Sequence, residues 1–231
     1  EPGDPVSGQR GPHAVAVQAA QRGTADAVKT ARAALSGFKG DVLVLYGDCP
    51  LIQTDTLARM RRERRNEAVT VLGIRVPGNS PYGRLIVARD GTLDRIVEAL
   101  DAGEDERQVD LCNSGVMLID GAHLFPLLDA IGNDNAKGEF YLTDIVAEAR
   151  KAKLAARVVE APAEEALGVN SRAELAAAET AMQARLRATA MENGATLLDP
   201  AAVWLSFDTR LGRDVTIGPH VGLRPDAVRQ V

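Results

Sequence analysis

The chain has 231 residues, 45% of them hydrophobic and 26% charged, a balance typical of a folded globular protein that excludes intrinsic disorder. With 27 basic and 32 acidic residues the net charge is −5, which argues against a general binder of nucleic acid or anionic membranes. Cys49 and Cys112 lack metal-ligand spacing, so we expect neither a zinc site nor a disulfide, and a cytoplasmic location fits best. No apolar run of about 18 residues and no signal-peptide pattern occur, so the sequence predicts neither a membrane span nor export.

The first elements are short. Residues 1–13 are rich in proline, glycine and polar side chains and are predicted to be irregular. Residues 14–18 predict a short strand, and residues 25–35 predict a helix for which Thr24 is a suitable N-cap. The backbone N–H groups of Gly23 and Thr24 either serve a ligand at this helix end or only cap it, and the sequence leaves both interpretations open.

Residues 42–52 are the most informative stretch. Their β-branched and leucyl side chains predict a buried parallel strand, and the break at Gly47 and Asp48 places a carboxylate at its carboxyl end, where open α/β sheets bind ligands. A carboxylate there suits a hard cation such as Mg²⁺ held against nucleotide phosphates. The alternative is an aspartate that only caps a turn or the next helix.

The middle of the chain predicts an α/β sheet with an antiparallel excursion. A helix follows from Thr54, and its many arginines are expected to form a solvated face because glutamates are interleaved with them and no aromatic residues stand among them. Asn113 and Ser114 are either satisfied by a turn or face a ligand. Strands are predicted at 69–76, 82–88, 93–98, 111–119 and 156–159, helices at 122–131 and 141–153, and a hairpin turn at Asp90-Gly91.

The last part of the chain has a different pattern. Ser171 and Glu174 form a capping box that begins a long alanine-rich helix, which is expected to end at Asn193 before Gly194. Beyond this helix an aliphatic residue recurs every six positions, at Leu211, Ile217 and Leu223. A six-residue aliphatic period predicts the start of a left-handed parallel β-helix.

Several short motifs share their order and spacing with one family. They are residues 18–24, Leu45-Tyr46-Gly47-Asp48, Tyr82-Gly83-Arg84, Ile96-Val97-Glu98, Cys112-Asn113-Ser114-Gly115, residues 135–144 and Gly168-Val169-Asn170. On these motifs the chain resembles the bifunctional N-acetylglucosamine-1-phosphate uridyltransferase/glucosamine-1-phosphate acetyltransferase family of bacterial cell-wall precursor synthesis. The six-residue repeat after a long helix is what that family has at its domain junction.

The resemblance implies a fold. It is an α/β, Rossmann-like nucleotidyltransferase fold (GT-A-like) with a mixed sheet, truncated at the N-terminus and followed by a long connector helix and the start of a left-handed parallel β-helix. The implied boundaries are 1–13 for an irregular segment, 14–170 for the incomplete nucleotidyltransferase domain, 171–194 for the connector helix and 195–231 for the β-helix. The family's homotrimer is built mainly by later coils, so the sequence does not fix the oligomeric state of this chain.

The resemblance also implies roles for single positions. The implied nucleotide-binding residues are Gln18, Gly23, Thr24, Tyr46 and Gly47, the implied sugar-binding residues are Gly83, Glu98 and Asn113, and the implied Mg²⁺ ligands are Asp48 and Asn170. Asp48 would be the catalytic residue as a metal ligand and not as a proton acceptor. The implied reaction converts UTP and N-acetylglucosamine 1-phosphate into UDP-N-acetylglucosamine and pyrophosphate with Mg²⁺.

Two departures from the family pattern leave alternatives open. The family's glycine-rich loop, which holds the triphosphate, has no counterpart in this sequence, and Ala99-Leu100-Asp101 stands where the family has a lysine shortly after the glutamate. The leading hypothesis is a uridyltransferase. The alternative is an inactive or fragmentary homologue that retains only sugar-nucleotide binding or assembly. An acyltransferase subunit is a third hypothesis, disfavoured because one coil cannot form the intersubunit clefts in which such enzymes work.

Overall fold

The computed structural model describes residues 14–78 and 80–223, so the prediction for residues 1–13 lies outside the described part. The chain forms two compact units. Unit 1 comprises the described residues up to Tyr46 together with 53–163, and unit 2 comprises 47–52 together with the described residues from Glu164 onward. The division into domains predicted from the sequence stays a prediction.

Unit 1 contains a six-stranded mixed sheet with the order β4-β3-β5-β2-β6, and β1 also pairs with β5. The strands are β1 (Asp41–Val44), β2 (Val69–Arg75), β3 (Arg84–Val87), β4 (Leu93–Val97), β5 (Leu111–Asp120) and β6 (Ala156–Ala161). The helices are α1 (Thr24–Lys29), α2 (Thr54–Glu63), α3 (Glu104–Arg107), α4 (Gly121–Ala130) and α5 (Ile145–Lys151), with short 3-10 turns at Thr30–Arg32 and Leu142–Asp144. The predicted hairpin is confirmed as the antiparallel pair β3 and β4.

The core of unit 1 forms where the sheet packs against α4 and α5. Successive side chains of β2 and β5 point to opposite faces of the sheet, and those on one face are buried against the helices. Among the fully buried residues of this cluster are Val69, Val71, Met117, Ile119, Leu124, Leu128, Ile145 and Val146. β2 pairs in parallel with β6 and antiparallel with β5, which makes the sheet mixed, as expected.

Two strand predictions at the start of unit 1 need correction. A strand forms at the predicted place as β1, but it ends at Val44, pairs antiparallel with β5 and leaves Leu43 and Leu45 36% and 49% exposed, so its predicted parallel direction and burial are wrong. An apolar run indicates burial but not strand direction, which is set by a partner distant in sequence. Residues 14–18 form no strand, because no described strand offers them a partner, and Val15 and Val17 are more than four-fifths exposed.

Arg64, next to the end of α2, forms ion pairs with one carboxylate of β1 and one of β5. The antiparallel register places Asp41 opposite Asp120, and like charges facing each other across two strands destabilise the pair. The Arg64 guanidinium donates from Nη1 to Asp41 Oδ1 and from Nη2 to Asp120 Oδ2, the latter at 2.6 Å. One largely buried cation therefore offsets both carboxylates. The expectation that the arginines of this helix form only a solvated face is wrong at Arg64.

Unit 2 contains the long helix α6 (Arg172–Glu192) and four short strands, β7 (Thr196–Leu197), β8 (Val203–Leu205), β9 (Thr216–Ile217) and β10 (Val221–Leu223). β7 pairs in parallel with β9, and β8 pairs in parallel with β10. Each short strand thus pairs in parallel with the next strand but one, as expected where strands of successive β-helix coils stack. The repeat residues Leu211, Ile217 and Leu223 pack against the buried Leu197, Val203 and Leu205, so the predicted long helix and the six-residue repeat are both confirmed.

None of the helices in the described part of the chain has the length and apolarity that a membrane crossing requires.

Candidate functional site

The predicted sugar-binding residues of unit 1 come together at the start of β5. Asn113 N–H donates to the Gly83 carbonyl at 2.8 Å. A Cβ atom added to Gly83 would lie 3.5 Å from Glu98 Oε2 and 3.4 Å from the carbonyl oxygen of Val97. Glu98 directly follows β4, and Gly83 directly precedes β3, so the hairpin itself brings these two residues side by side. Gly83, Glu98 and Asn113 thus form one cluster, which we call the sugar cluster.

The carboxylate of Glu98 is held by a buried hydroxyl group. Thr143 is 3% exposed, and its Oγ1–H donates to Glu98 Oε1 at 2.9 Å. Beside it, burial raises the pKa of Asp144, and the negative charges of Glu98 and Glu148 raise it further. One side of the sugar cluster is therefore acidic, which suits hydroxyl donors better than anionic groups.

Asn113 begins a bulge in β5 that explains its polar sequence. Asn113 Oδ1 accepts from Gly115 N–H at 3.0 Å, and Ser114 Oγ accepts from Val116 N–H at 3.2 Å. The register with β2 shifts at this point, as expected where extra residues are inserted into one strand. The turn satisfies Asn113 Oδ1, whereas Asn113 Nδ2 has no hydrogen bond to any residue described. The turn interpretation therefore holds for Asn113 Oδ1, and the ligand interpretation stays a prediction.

Tyr46, a predicted nucleotide-binding residue, lies against this bulge. Gly115 has a φ of +87°, and a Cβ atom there would be 2.5 Å from Tyr46 Cε2 and 2.7 Å from Tyr46 Cδ2. Glycine is required both by the left-handed backbone and by the closeness of the ring. The bulge therefore joins the predicted nucleotide residue Tyr46 to the strand that carries Asn113.

Gln18 and Gly23, both predicted to bind the nucleotide, are in contact. Gln18 Nε2 donates to the Gly23 carbonyl at 3.1 Å and to Asp26 Oδ2 at 2.9 Å. The hydrogen bond from Gln18, and next the one from Arg22, lower the pKa of Asp26. The Gln18 amide nitrogen therefore makes both of its donor contacts within this segment, and these contacts do not use its acceptor Oε1.

Thr24 is not the N-cap that the sequence predicts. Helix α1 begins at Thr24, Gly23 is its N-cap, and no side chain caps it. Thr24 Oγ1 instead accepts from Leu142 N–H at 2.9 Å, and a Cβ at Gly23, whose φ is +119°, would lie 2.5 Å from the Phe140 carbonyl oxygen. The hydroxyl is used by a segment distant in sequence, which capping rules do not consider. This segment continues to Thr143, which holds Glu98.

The two predicted metal ligands both belong to unit 2 and are close there. Val169 N–H donates to the Asp48 carbonyl at 2.9 Å, and Asn170 is the next residue. The Asn170 N–H donates to Glu174 Oε2 at 2.7 Å, and this bond contributes most to lowering the pKa of Glu174. Asp48 and Asn170 are both exposed. A carboxylate and an amide are therefore available on neighbouring backbone segments.

This pair of side chains fits Mg²⁺. No cluster of three or more histidine, cysteine or acidic side chains arranged for a metal occurs among the described residues. Mg²⁺ is usually held by one or two protein oxygen ligands together with phosphates and water, and the prediction that Asp48 and Asn170 supply these ligands is compatible with that arrangement. Burial and the charge of Asp48 raise the pKa of the neighbouring Cys49 to about 11.

Sequence reasoning assigned no contact to Thr143, which stands before Asp144, and did not predict the burial of Arg84, which stands next to Gly83. An arginine at the start of an apolar strand was the available signal for that burial. For Thr143 no local signal exists, because its partner Glu98 belongs to a different hairpin.

The chain is therefore an α/β protein. Its mixed sheet carries polar clusters at strand ends, and a long helix and the first coil of a β-helix follow along the chain. Within this class the chain matches curated proteins named Bifunctional protein GlmU. It is 55% identical over 217 residues to that of Paramagnetospirillum magneticum, covering 93% of this chain and 48% of the relative. It is 56% identical over 214 residues to that of Rhodospirillum rubrum, covering 91% and 48%. For Rhodopseudomonas palustris the identity is 46% over 224 residues, covering 96% and 49%.

The resemblance predicted from the motifs is therefore confirmed: the chain is a relative of the bifunctional GlmU proteins. It spans about half the length of the curated relatives it matches. No protein-family model matches it. A crystal structure of a nucleoside-diphosphate-sugar pyrophosphorylase from Vibrio cholerae RC9 aligns with a TM-score of 0.49 at 14% identity, over 68% of this chain and 64% of that one. The relation rests on the sequence matches and not on that superposition.

Proposed function

We propose that the chain is a nucleotidyltransferase that makes UDP-N-acetylglucosamine and pyrophosphate from UTP and N-acetylglucosamine 1-phosphate with Mg²⁺. The relation to the bifunctional GlmU proteins supports this reaction class. The observation that carries the proposal is the sugar cluster, in which three residues distant in sequence meet at one end of β5. We also propose a cytoplasmic location, since UTP is an intracellular metabolite.

The chemistry of the sugar cluster suits N-acetylglucosamine. Sugar hydroxyls can donate hydrogen bonds to the Glu98 carboxylate, and the acetamide carbonyl can accept one from Asn113 Nδ2. Gly83 contributes no side chain, so a sugar ring can approach its backbone closely. The hydroxyl of Thr143 occupies one oxygen of Glu98 and leaves Glu98 Oε2 for the ligand.

The base and the metal are assigned to other residues. Gln18 Oε1 would accept from the imide N–H of uracil, and Gly23 and Thr24 would present backbone groups to the base. Tyr46 and Gly47 would contact the nucleotide. Asp48 and Asn170, in unit 2, would hold Mg²⁺, which when bound offsets the negative charge of the phosphates.

The proposed reaction is an in-line displacement at phosphorus. A phosphate oxygen of N-acetylglucosamine 1-phosphate forms a bond to the α-phosphorus of UTP, and the bond from that phosphorus to the bridging oxygen breaks, releasing pyrophosphate. No proton has to be removed, because the attacking phosphate is already anionic at neutral pH. The protein's contribution is then to position and orient the two substrates.

Pyrophosphate release from UTP and N-acetylglucosamine 1-phosphate tests the proposal, with glucose 1-phosphate as the competing substrate. We expect Asp48→Ala and Asn170→Ala each to lower turnover by at least about a hundredfold, because a metal ligand contributes several kcal/mol of charge stabilisation. Both side chains are exposed, so the unfolding midpoint should not change. Asp134→Ala, which removes another exposed carboxylate, is the matched control.

Three results would count against the proposal. Unchanged turnover of both variants at saturating Mg²⁺ would contradict the metal assignment. Equal turnover with glucose 1-phosphate would contradict the sugar assignment. Binding of UDP-N-acetylglucosamine without any release of pyrophosphate would favour the alternative of a homologue that only binds the sugar nucleotide.

A further inference from the structure

We propose that Arg84 is a positioning residue that aims the backbone N–H of Gly83 at the sugar. This inference rests on the proposed function, because it concerns the sugar cluster defined above. Arg84 itself does not touch the ligand. It acts through the loop that precedes Gly83, and it therefore adds a residue to the recognition of the sugar that the motif assignments do not include.

Arg84 is a buried cation held by backbone carbonyls. It is 0% exposed, its Nη2 donates to the Ser80 carbonyl at 3.0 Å, and its Nη1 donates to the Tyr82 carbonyl. Within residues 14–78 and 80–223 no carboxylate pairs with it, and its buried Nε has no hydrogen-bond partner. A buried charge is costly unless it is hydrogen bonded, so an arginine at this position requires a reason other than stability.

The geometry of the peptide bond supplies that reason. The Tyr82 carbonyl and the Gly83 N–H belong to the same peptide group, which is planar and trans, so the two bonds point in opposite directions. The guanidinium holds the Tyr82 carbonyl toward Arg84. The Gly83 N–H of the same peptide group must therefore point away from Arg84. The Gly83 carbonyl already accepts from Asn113 N–H, so recognition of a ligand by Gly83 falls to its N–H.

Gly83 itself borders the sugar cluster. A Cβ at Gly83 would lie 3.5 Å from Glu98 Oε2, so this backbone is next to the carboxylate that would bind the sugar hydroxyls. Arginine suits the task because its planar fork binds two carbonyl groups at once and fixes their directions. Lysine is a point charge on a flexible stem and cannot hold both carbonyls in one plane.

The test compares Arg84→Lys and Arg84→Gln with Arg75→Lys. Arg75 is a 55% exposed arginine on β2 and receives the same chemical change outside the site. Calorimetry on the full chain measures the affinity for UDP-N-acetylglucosamine and for UDP, which lacks the sugar. NMR measures amide hydrogen exchange of Asn113 without ligand. Arg84→Gln keeps a donor without the charge and serves if Arg84→Lys does not fold.

We expect both Arg84 variants to bind UDP-N-acetylglucosamine about tenfold more weakly, the loss of one well-aligned hydrogen bond, with the affinity for UDP unchanged. Amide exchange at Asn113, whose N–H donates to the Gly83 carbonyl, should become faster, whereas Arg75→Lys should change neither the affinity nor the exchange rate. An equal loss of affinity for UDP, or unchanged affinity and exchange, would overturn the proposal. If the parent chain binds no UDP-N-acetylglucosamine, the proposed function fails. The exchange rates then decide alone: faster exchange in the Arg84 variants supports the role of Arg84 in holding the peptide group, and unchanged exchange overturns it.

Discussion

Gly115→Ala gives the sharpest test of how the bulge in β5 is built. At this residue φ is +87°, and the new methyl group would fall 2.5 Å from Tyr46 Cε2 and 2.7 Å from Tyr46 Cδ2. Two costs therefore combine, one in the backbone and one in side-chain packing. The substitution perturbs the contact between the predicted nucleotide residue Tyr46 and the strand that carries Asn113.

The magnitude follows from these two costs. A left-handed conformation costs an ordinary residue about 1–2 kcal/mol relative to glycine. Forcing an extra methyl group into a filled space costs about 1–3 kcal/mol, because the ring or the backbone must move. We therefore expect Gly115→Ala to lower the free energy of unfolding by about 2–5 kcal/mol.

Gly91→Ala is the matched control. Gly91 has a φ of +81°, but a Cβ atom there would meet nothing within 4 Å. It should show the backbone cost alone, about 1–2 kcal/mol. Urea unfolding of both variants measures the difference, with the slope of the transition checked for constancy. Equal losses in the two variants would refute the idea that glycine at position 115 makes room for the Tyr46 ring.

Two further predictions concern other parts of the chain. The pKa of Asp144 is raised in the fold, so folding favours its protonated form. Asp144→Asn should therefore raise Tm at about pH 7, and this gain should disappear as the pH falls toward about 4. The exposed control Asp134→Asn should change Tm little. A gain that is the same at both pH values would contradict this. Gln183, 2% exposed, donates to the Leu205 carbonyl at 2.7 Å and accepts from Leu205 N–H at 2.9 Å. Gln183→Leu should therefore cost about 2–4 kcal/mol in urea unfolding, and a loss below about 0.5 kcal/mol would show that the buried pair is not needed.

The parts of the fold that the sequence predicts are those encoded by local patterns. The capping box at Ser171 and the alanine-rich composition predict α6 because helix propensity and capping depend on near neighbours. The six-residue period predicts the packing of Leu211, Ile217 and Leu223. The hairpin β3–β4 follows from Asp90-Gly91, whose glycine has the positive φ that such turns need.

The parts that could not be predicted depend on contacts between distant segments. The direction of β1 is decided by its pairing with β5, and the sequence of residues 42–52 does not indicate which strand will be its partner. Thr24 is drawn from its expected capping role by a backbone N–H of Leu142. The motifs identify Gly83, Glu98 and Asn113 as candidates, but their meeting depends on the bulge and on the way the hairpin β3–β4 meets β5.

The two largely buried arginines of unit 1 illustrate how the same side chain serves different ends. Arg64 binds two facing carboxylates, so its charge is compensated and its removal would leave like charges opposed at the pairing of β1 with β5. Arg84 binds only carbonyl groups, so its charge gains less, and what it fixes is the direction of a peptide group. We therefore expect loss of Arg64 to lower stability alone, whereas loss of Arg84 should lower ligand affinity as well as stability, because two carbonyl groups lose their donor. Affinity measurements are thus needed to tell the two roles apart.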